Sequence, residues 1–322
     1  MSGEVGATSL RRRFFLGLAL LYGRRSPFPQ RKWRICLFLL RLGGIHPWLH
    51  SEAWRETVAA RPDEVVPLRR GFAIACNWQD TSYLAFTMLR DHQPYESDLL
   101  EKLIQPGDTI IDGGANIGFY TLLFAVQAGA EGRVFAYEPV SAVAADVRRN
   151  LAVNRGVRMA PVSVRQCGLG DEPRTLPIYL RPSVSGSGID SQHSSFVADF
   201  NTPVSDSITE EIEIVRLDDE EISGRIDLAK CDIEGYEKAF LEGAKQVLRR
   251  DQPLLVLEWN PGPQTYGVDE ILESLESLGY DEVFMMRRGR LVRGDRAVLE
   301  SFVGDVVCAV HARHAERLSA AL

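Results

Sequence analysis

The chain has 322 residues, of which 45% are apolar and 25% are charged, and its net charge is -7. This composition is ordinary for a globular protein with a buried core, and no apolar run approaches the roughly 20 residues that a bilayer-spanning helix needs. The charge is uneven, because residues 1–41 hold nine Arg and Lys against a single acid, Glu4. The acidic remainder argues against a body that grips nucleic acid.

The five cysteines are scattered and include no C-x-x-C pair, so the sequence predicts neither a disulfide framework nor a zinc site. A reducing cytoplasm is the simplest compartment. The basic, apolar stretch 11–41 has two interpretations: helices lying on an anionic membrane surface, or a helical cap packed on the body. Its start resembles a twin-arginine export signal but lacks a cleavage site, so we expect a cytoplasmic protein, with membrane association as the alternative.

Prolines break the first seventy residues into short pieces, and residues 1–75 are predicted to form an N-terminal helical extension to a body at 76–322. Strand-like apolar content over Phe72–Cys76 and Ser82–Leu89 predicts a leading hairpin. Helical spacing of apolar residues then predicts a helix over Tyr95–Ile104.

A buried strand that runs straight into a glycine-rich turn begins the body. Thr109 to Ile111 are β-branched, as in a buried parallel strand, and Asp112 ends it. Gly113 and Gly114 lack the Cβ that would keep a ligand away from the backbone, and Gly118 allows the following helix to pack closely. The turn is therefore a candidate binding site for a small polar ligand.

Strands and helices alternate after this turn, which is typical of parallel βαβ units. Further strands are predicted over Arg133–Tyr137, Val162–Gln166, Ile226–Lys230, Leu254–Leu257, Glu282–Met286 and Val306–Val310, with no helix between the last two. Helices are predicted over Phe119–Val126, Ala142–Asn154 with Ser141 as N-cap, Tyr236–Arg250 and Val268–Leu278. Residues 172–216 interrupt the alternation and are interpreted as an insertion or lid. Within them, strands at Leu176–Leu180 and Glu211–Arg216 flank a polar piece, Ser183–Asn201.

Four motifs occur in order: D-G-G-A-N-I-G-F-Y-T at 112–121, Y-E-P at 137–139, L-D-D at 217–219 and K-C-D-I-E-G at 230–235. Together they resemble the FkbM family of S-adenosylmethionine-dependent methyltransferases. The resemblance implies a class I methyltransferase fold, which is an α/β, Rossmann-like, doubly wound sheet of seven mostly parallel strands with the last strand antiparallel. It also implies that the methyl acceptor is a sugar hydroxyl of a glycan, glycolipid or secondary metabolite.

S-adenosylmethionine has an amino-acid end, a sulfonium and a ribose with two vicinal hydroxyls, and each needs a partner. Glu138 ends the strand after the glycine turn and is placed to accept hydrogen bonds from both ribose hydroxyls. The residues predicted to bind the cofactor are Asp112, Gly113, Gly114, Ala115, Asn116, Gly118, Glu138, Cys167 and Gly168. They should converge, because ligands bind outside the carboxyl ends of parallel strands.

Two other functions compete with methyl transfer. The run G-G-A-N-I-G also satisfies a loose dinucleotide fingerprint with an acid twenty residues later, so an NAD-dependent oxidoreductase is the rival enzyme. The K-C-D-I-E-G block is not part of that fingerprint, which favours the methyl donor. A noncatalytic cofactor-binding module is the alternative outside enzymology.

Methyl transfer to a hydroxyl needs a base or a metal that makes the hydroxyl nucleophilic. Asp232 is the leading candidate for the base, and Lys230 could either act as a base or neutralise Asp232. A structural ion pair between them is the alternative. Glu234 is a weaker candidate, since an early acid also suits a helix dipole. His193 is interpreted as a base on the lid or as an exposed loop histidine.

Asp232, Glu258 and Asn260, at the ends of adjacent strands, could also hold a divalent cation through oxygen ligands. Acids at strand ends are common in α/β proteins, so the sequence predicts no metal site. The expected partner is a small-molecule or glycan acceptor, and the sequence does not indicate an oligomeric state.

Overall fold

A computed structural model describes residues 64–76, 89–180, 208–262, 265–309, 311–319 and 321–322, with the single residues Leu18, Ile35, Phe38 and Phe86. The chain forms two units, which are described separately: one includes the described residues up to Pro94, and the other is the body from Tyr95 onward. The predicted division at residues 75 and 76 stays a prediction. No described helix has the length and apolar character needed to cross a membrane.

The first unit contains an antiparallel hairpin of β1 (Glu64–Pro67) and β2 (Ala73–Cys76). The predicted pairing with Ser82–Leu89 is wrong, because β1 is the partner and the described residues Phe86 and Leu89 are helical. Both are buried and lie three positions apart, which is helical spacing. The predicted helices of the stretch 11–41 fall outside the described residues, apart from Leu18, Ile35 and Phe38, which are each helical.

The body contains eleven further strands and eight described helices. The strands are β3 (Thr109–Gly113), β4 (Arg133–Tyr137), β5 (Val162–Arg165), β6 (Gly168–Leu169), β7 (Arg174–Leu180), β8 (Ile208–Val215), β9 (Leu228–Cys231), β10 (Leu254–Trp259), β11 (Glu282–Arg287), β12 (Arg290–Arg293) and β13 (Gly304–Ala309). The helices are α1 (Pro94–Leu103), α2 (Phe119–Ala128), α3 (Ser141–Val153), α4 (Glu237–Gly243), α5 (Lys245–Asp251), α6 (Val268–Ser277), α7 (Arg296–Leu299) and α8 (His311–Ser319).

The central sheet has eight strands in the order β12-β11-β13-β10-β9-β3-β4-β5. The run from β10 to β5 is parallel, and β13 is antiparallel to both of its neighbours. Helix α3 packs on one face, through Val147 against Ala136, while α4, α5 and α6 pack on the other with the largest core cluster. This confirms the doubly wound, mostly parallel α/β sheet with an antiparallel last strand.

The strand count is eight rather than seven, because the segment between β11 and β13 was predicted without regular structure. Arg288 and Gly289 have φ of 50° and 80°, which folds the chain back sharply and pairs β12 with β11. The short helix α7 follows. The prediction of no helix between the last two strands is therefore wrong. The many arginines of this segment obscure the sequence patterns of a short edge strand and a single helical turn.

Other predicted boundaries also change. The single helix over Tyr236–Arg250 is wrong: it divides at Ala244, because the carboxylate of Asp218 accepts hydrogen bonds from Gln246 N at 3.0 Å and Val247 N at 2.9 Å and so caps α5. Ser141 is not an N-cap but the first residue of α3. The C-terminal helix α8 was not predicted.

The two strands predicted around the insertion are confirmed, and they pair with each other. They form the antiparallel pair β7 and β8, and β8 also pairs with β6 to complete a three-stranded sheet. This second sheet brings Gly168 and Leu169 to the edge of the parallel strands. Ser183–Asn201, including His193, lies outside the described residues, so the lid stays a prediction.

Candidate active site

A pocket that is open to solvent lies at the carboxyl edge of the parallel strands, with about 580 Å³ of space free of protein atoms when the adjoining solvent is included. Its walls come from the turn after β3, the end of β4, the small sheet and the loop after β9. The described residues that line it are Gly114, Asn116, Glu138, Pro139, Val140, Gly168, Leu169, Ile178, Asp232, Ile233 and Glu234. Three of the four sequence motifs therefore converge here, while the L-D-D motif supplies the Asp218 cap of α5.

The glycine turn is shaped by its neighbours in the protein. Gly114 has φ of 78°, and a Cβ built on it would lie 1.8 Å from the carbonyl oxygen of Asp232. Gly118 has φ of 89°, and its Cβ would lie 3.2 Å from Val147 Cγ1 of α3. A side chain at position 114 would thus push apart the turn after β3 and the loop after β9. Glycine is therefore needed here for Asp232 to reach the wall of the pocket.

Glu138 is fixed by the backbone on both sides of the pocket. Its Oε2 accepts a hydrogen bond from Asn116 N at 2.9 Å, and its Oε1 accepts one from Val140 N at 3.0 Å. An ionised carboxylate offers about four acceptor positions, so two remain for a ligand. Burial raises the pKa of Glu138 to about 7, although the two backbone hydrogen bonds oppose the shift.

Asp112 lies beneath the turn rather than on the pocket wall. It is fully buried, and its Oδ2 accepts a hydrogen bond from Thr121 Oγ1 at 2.5 Å. Its Oδ1 has no hydrogen-bond partner among the described residues. Burial raises the pKa of Asp112, against the opposing charge of Lys230 and the hydrogen bond from Thr121.

Lys230 carries a buried positive charge directly behind the wall. Its Nζ lies 2.7 Å from Asp232 Oδ2 and 4.8 Å from the centroid of the Tyr120 ring. Burial alone would lower the pKa of Lys230, but the carboxylates of Asp232, Asp305 and Asp112 outweigh it and raise the pKa above its ordinary value. This favours the interpretation in which Lys230 neutralises Asp232 over the one in which it acts as a base.

Acidic side chains surround this lysine. Carboxylate oxygens of Asp232, Glu234 and Glu258 all lie within 4.8 Å of one another, which is close enough to share one cation. Glu258 and Asp305 are directly paired residues of β10 and β13. Burial raises the pKa of both, and the neighbouring Asp232 carboxylate adds to each shift. The site is therefore strongly acidic, with Lys230 as its buried counterion.

Sequence reasoning missed two residues that shape this edge. Glu237 is fully buried, and its Oε1 accepts hydrogen bonds from Ile233 N at 3.1 Å and Gly235 N at 3.2 Å, which fixes the loop that carries Asp232. The E-G-Y-E spacing after β9 was the available signal. Asp305 had none, because only the pairing of β13 with β10 brings it beside Glu258.

The predicted site residues fall into three groups. Gly114, Asn116, Glu138, Gly168, Asp232 and Glu234 line the pocket. Asp112, Gly113, Ala115, Gly118, Cys167 and Lys230 belong to the same strand ends but are not among the described lining residues. His193 lies outside the described residues, and two members of the proposed cation set, Asp232 and Glu258, form an acidic cluster with Glu234.

Strand order, the antiparallel last strand and a pocket at the carboxyl edge define a doubly wound α/β protein of the class I methyltransferase type. The family model for the methyltransferase FkbM domain matches residues 112–282, more than half of the chain. The chain belongs to the FkbM family of S-adenosylmethionine-dependent methyltransferases. This membership decides between S-adenosylmethionine and NAD in favour of the methyl donor.

The fold is similar to that of solved structures, among which are the following three. A methyltransferase FkbM from Methylobacillus flagellatus is 15% identical with a TM-score of 0.40, covering 88% of this chain and 72% of that one. An S-adenosylmethionine-dependent O-methyltransferase from Thermotoga maritima is 16% identical with a TM-score of 0.39, covering 81% and 83%. An Aeropyrum pernix fibrillarin with natively bound S-adenosylmethionine is 15% identical with a TM-score of 0.37, covering 67% and 74%. No curated protein sequence matches the chain significantly.

Proposed function

We propose that this methyltransferase acts on a hydroxyl group, that of a sugar in a glycan, glycolipid or secondary metabolite. The observation that carries the proposal is the position of Asp232. Its carboxylate lines the pocket beside Gly114, its side chain is 34% exposed, and Lys230 holds it from behind. A carboxylate so placed can both bind a sugar hydroxyl and accept its proton.

The pocket residues fit S-adenosylmethionine, which supplies an electrophilic methyl group when it is bound. Glu138 keeps two acceptor positions for the ribose hydroxyls. Gly114 and Asn116 lie at the turn where the methionine end would bind. Leu169 and Ile178 give an apolar wall, which suits adenine. The remaining predicted residues, Asp112 among them, would support the turn from below.

In the proposed mechanism, Asp232 would accept the proton of the acceptor hydroxyl, and bound S-adenosylmethionine would supply the methyl group that the hydroxyl oxygen takes up. Lys230 stays protonated and keeps Asp232 in place, because the surrounding carboxylates stabilise its charge. Glu234 lies on the same wall and would orient the acceptor through a second hydroxyl. His193 is proposed as a further base.

A second candidate mechanism is cation-assisted, and one observation favours it. Asp232, Glu234 and Glu258 can each offer an oxygen within 4.8 Å of the others. A divalent cation held there would lower the pKa of an acceptor hydroxyl and would offset the mutual repulsion of these carboxylates. In that case Asp232 is a ligand rather than the base.

Transfer of radiolabelled methyl to a panel of sugars, glycolipids and sugar-bearing metabolites tests the proposal. Asp232→Asn should lower kcat by about 10² to 10⁴-fold with S-adenosylhomocysteine affinity unchanged within twofold. Asp281→Asn, an exposed acid outside the pocket, is the matched control and should behave as the wild type. An Asp232→Asn enzyme with the wild-type rate would contradict the mechanism. Loss of activity on chelation, restored by Mg²⁺, would select the cation-assisted form.

We also propose that the protein is located in the cytoplasm. The cytoplasm is supported by Cys167 and Cys231, which are free and buried. Peripheral contact of residues 11–41 with anionic lipid rests on their charge alone. Membership of the FkbM family implies a small-molecule substrate, and the glycan acceptor is our proposal.

A further inference from the structure

Three arginines close the β11–β12 hairpin: Arg287, Arg288 and Arg290, called here the arginine tip. All three are exposed. None of them forms an ion pair with a described residue, while the nearby Arg293 pairs with Glu282 at 3.0 Å. The tip is thus a concentration of uncompensated positive charge on a chain whose net charge is -7.

Arg287 lies over the Phe302 ring, 5.9 Å from its centroid, but two other features of this arrangement are unfavourable for folding. Arg287 and Arg290 are directly paired across the two strands, and like charges in that position destabilise a hairpin. Arg288 has φ of 50°, a conformation for which Asn or Gly is preferred in a two-residue turn. Charges along an edge strand do prevent aggregation, but Arg293 already serves that purpose on β12. A conflict between local sequence and structure is typical of a functional site.

The arginine tip lies at the same edge of the sheet as the acidic pocket. Strand β11 runs parallel to β10 and β9, so Arg287, its last residue, is at a carboxyl end. Three strand spacings separate β11 from β9, which is about 14 Å. The start of α1 links the hairpin turn to the acidic site. A Cβ built on Gly289 would lie 3.5 Å from Tyr95 Cδ1, and Glu96, which follows Tyr95 in the chain, adds to the raised pKa of Asp305.

We propose that the arginine tip binds a phosphate group carried by the methyl acceptor, an inference that rests on the proposed function. Guanidinium groups recognise phosphate through paired, charge-assisted hydrogen bonds. An acceptor that bridges the two strand ends would place its phosphate at the tip and a neutral hydroxyl at Asp232. The acceptor class is therefore a phosphorylated or phosphate-linked sugar, because a phosphate close to the pocket would be repelled by Asp232, Glu234 and Glu258.

Isothermal titration of the full chain with pyrophosphate and with glucose 1-phosphate tests this site. The double variant Arg287→Gln/Arg290→Gln should bind both probes at least about tenfold more weakly than the wild type, because two charge-assisted contacts are lost. The matched control is Arg155→Gln/Arg158→Gln, which removes two exposed arginines from the amino-end side of β5. It should bind as the wild type does, and all proteins should bind S-adenosylhomocysteine equally.

Three results would overturn the inference while leaving the proposed function intact. In the first, the wild type binds S-adenosylhomocysteine but neither phosphate probe. In the second, the control variant loses as much probe affinity as the tip variant. In the third, the protein sediments with phosphatidylglycerol vesicles in a way that depends on the tip but binds neither soluble probe. The last result would make the tip a contact for lipid head groups. A wild type that fails to bind S-adenosylhomocysteine would count against the proposed function instead.

Discussion

Replacing Lys230 with Met removes the positive charge that three carboxylates share. Lys230 Nζ lies 2.7 Å from Asp232 and offsets the burial that raises the pKa of Asp112 and Asp305. Removing one partner of a buried pair costs about 3–5 kcal/mol, because the remaining charge is left uncompensated. We expect a loss of this size in the free energy of unfolding at pH 8, where all three carboxylates have most need of a counterion.

The loss should be smaller at pH 5.5. Lys230 opposes the rise in the pKa of Asp112 and Asp305, so without it both pKa values rise further in the folded state, and the folded variant gains more protons than the folded wild type as the pH falls. The stability of the variant relative to the wild type therefore increases on acidification. Urea unfolding followed by circular dichroism measures this, and the midpoint should fall by about 1–2 M at pH 8.

Lys245→Met is the matched control for this experiment. Lys245 pairs with Glu242 on the surface, where both side chains are 38% exposed, and such pairs contribute at most about 1 kcal/mol. A Lys230→Met protein that is no less stable than Lys245→Met at pH 8 would refute the proposed charge balance. So would a loss that grows as the pH falls.

Two further predictions concern the cofactor pocket. Gly114→Ala should abolish S-adenosylhomocysteine binding and destabilise the fold by more than the roughly 1–2 kcal/mol of a positive φ, since its Cβ would lie 1.8 Å from the Asp232 carbonyl oxygen. Gly224→Ala, with φ of 89° and open space around it, isolates the φ contribution, and equal losses in urea unfolding would contradict the steric argument. S-adenosylhomocysteine affinity should fall below pH 7, because burial raises the pKa of Glu138 to about 7 and a protonated carboxyl loses acceptor capacity. Glu138→Gln should bind weakly without that pH step, and a flat wild-type titration between pH 8 and 5.5 would oppose the assignment.

Local sequence patterns predicted the parts of the site that lie within one βαβ unit. Thr109 to Ile111 form a strand, the glycine turn follows it, and Glu138 ends the next strand at the same edge. These features could be predicted because a buried parallel strand and its glycine turn have characteristic residue patterns in the local sequence. The convergence of Asp232 with them followed from the rule that ligands bind at carboxyl ends.

Long-range pairing determined what the sequence did not reveal. The division of the helix at Ala244 depends on Asp218, which is distant in sequence, and Asp305 reaches the site through strand pairing. Gly114 was predicted to let a ligand approach the backbone, whereas the atoms that would clash with a side chain there belong to the protein's own loop after β9. Such contacts have no signature in the residues that surround them along the chain.

The central claim is that the part of the pocket formed by Gly114, Asn116 and Glu138 binds S-adenosylmethionine, and calorimetric titration tests it most directly. Wild type and Glu138→Ala would each be titrated with S-adenosylmethionine, S-adenosylhomocysteine and NAD. We predict micromolar binding of both adenosyl ligands by the wild type and no binding of NAD. Binding should weaken at least about tenfold in Glu138→Ala, because two hydrogen bonds to a charged group are lost. Equal adenosyl binding by the two proteins would contradict the assignment of this pocket.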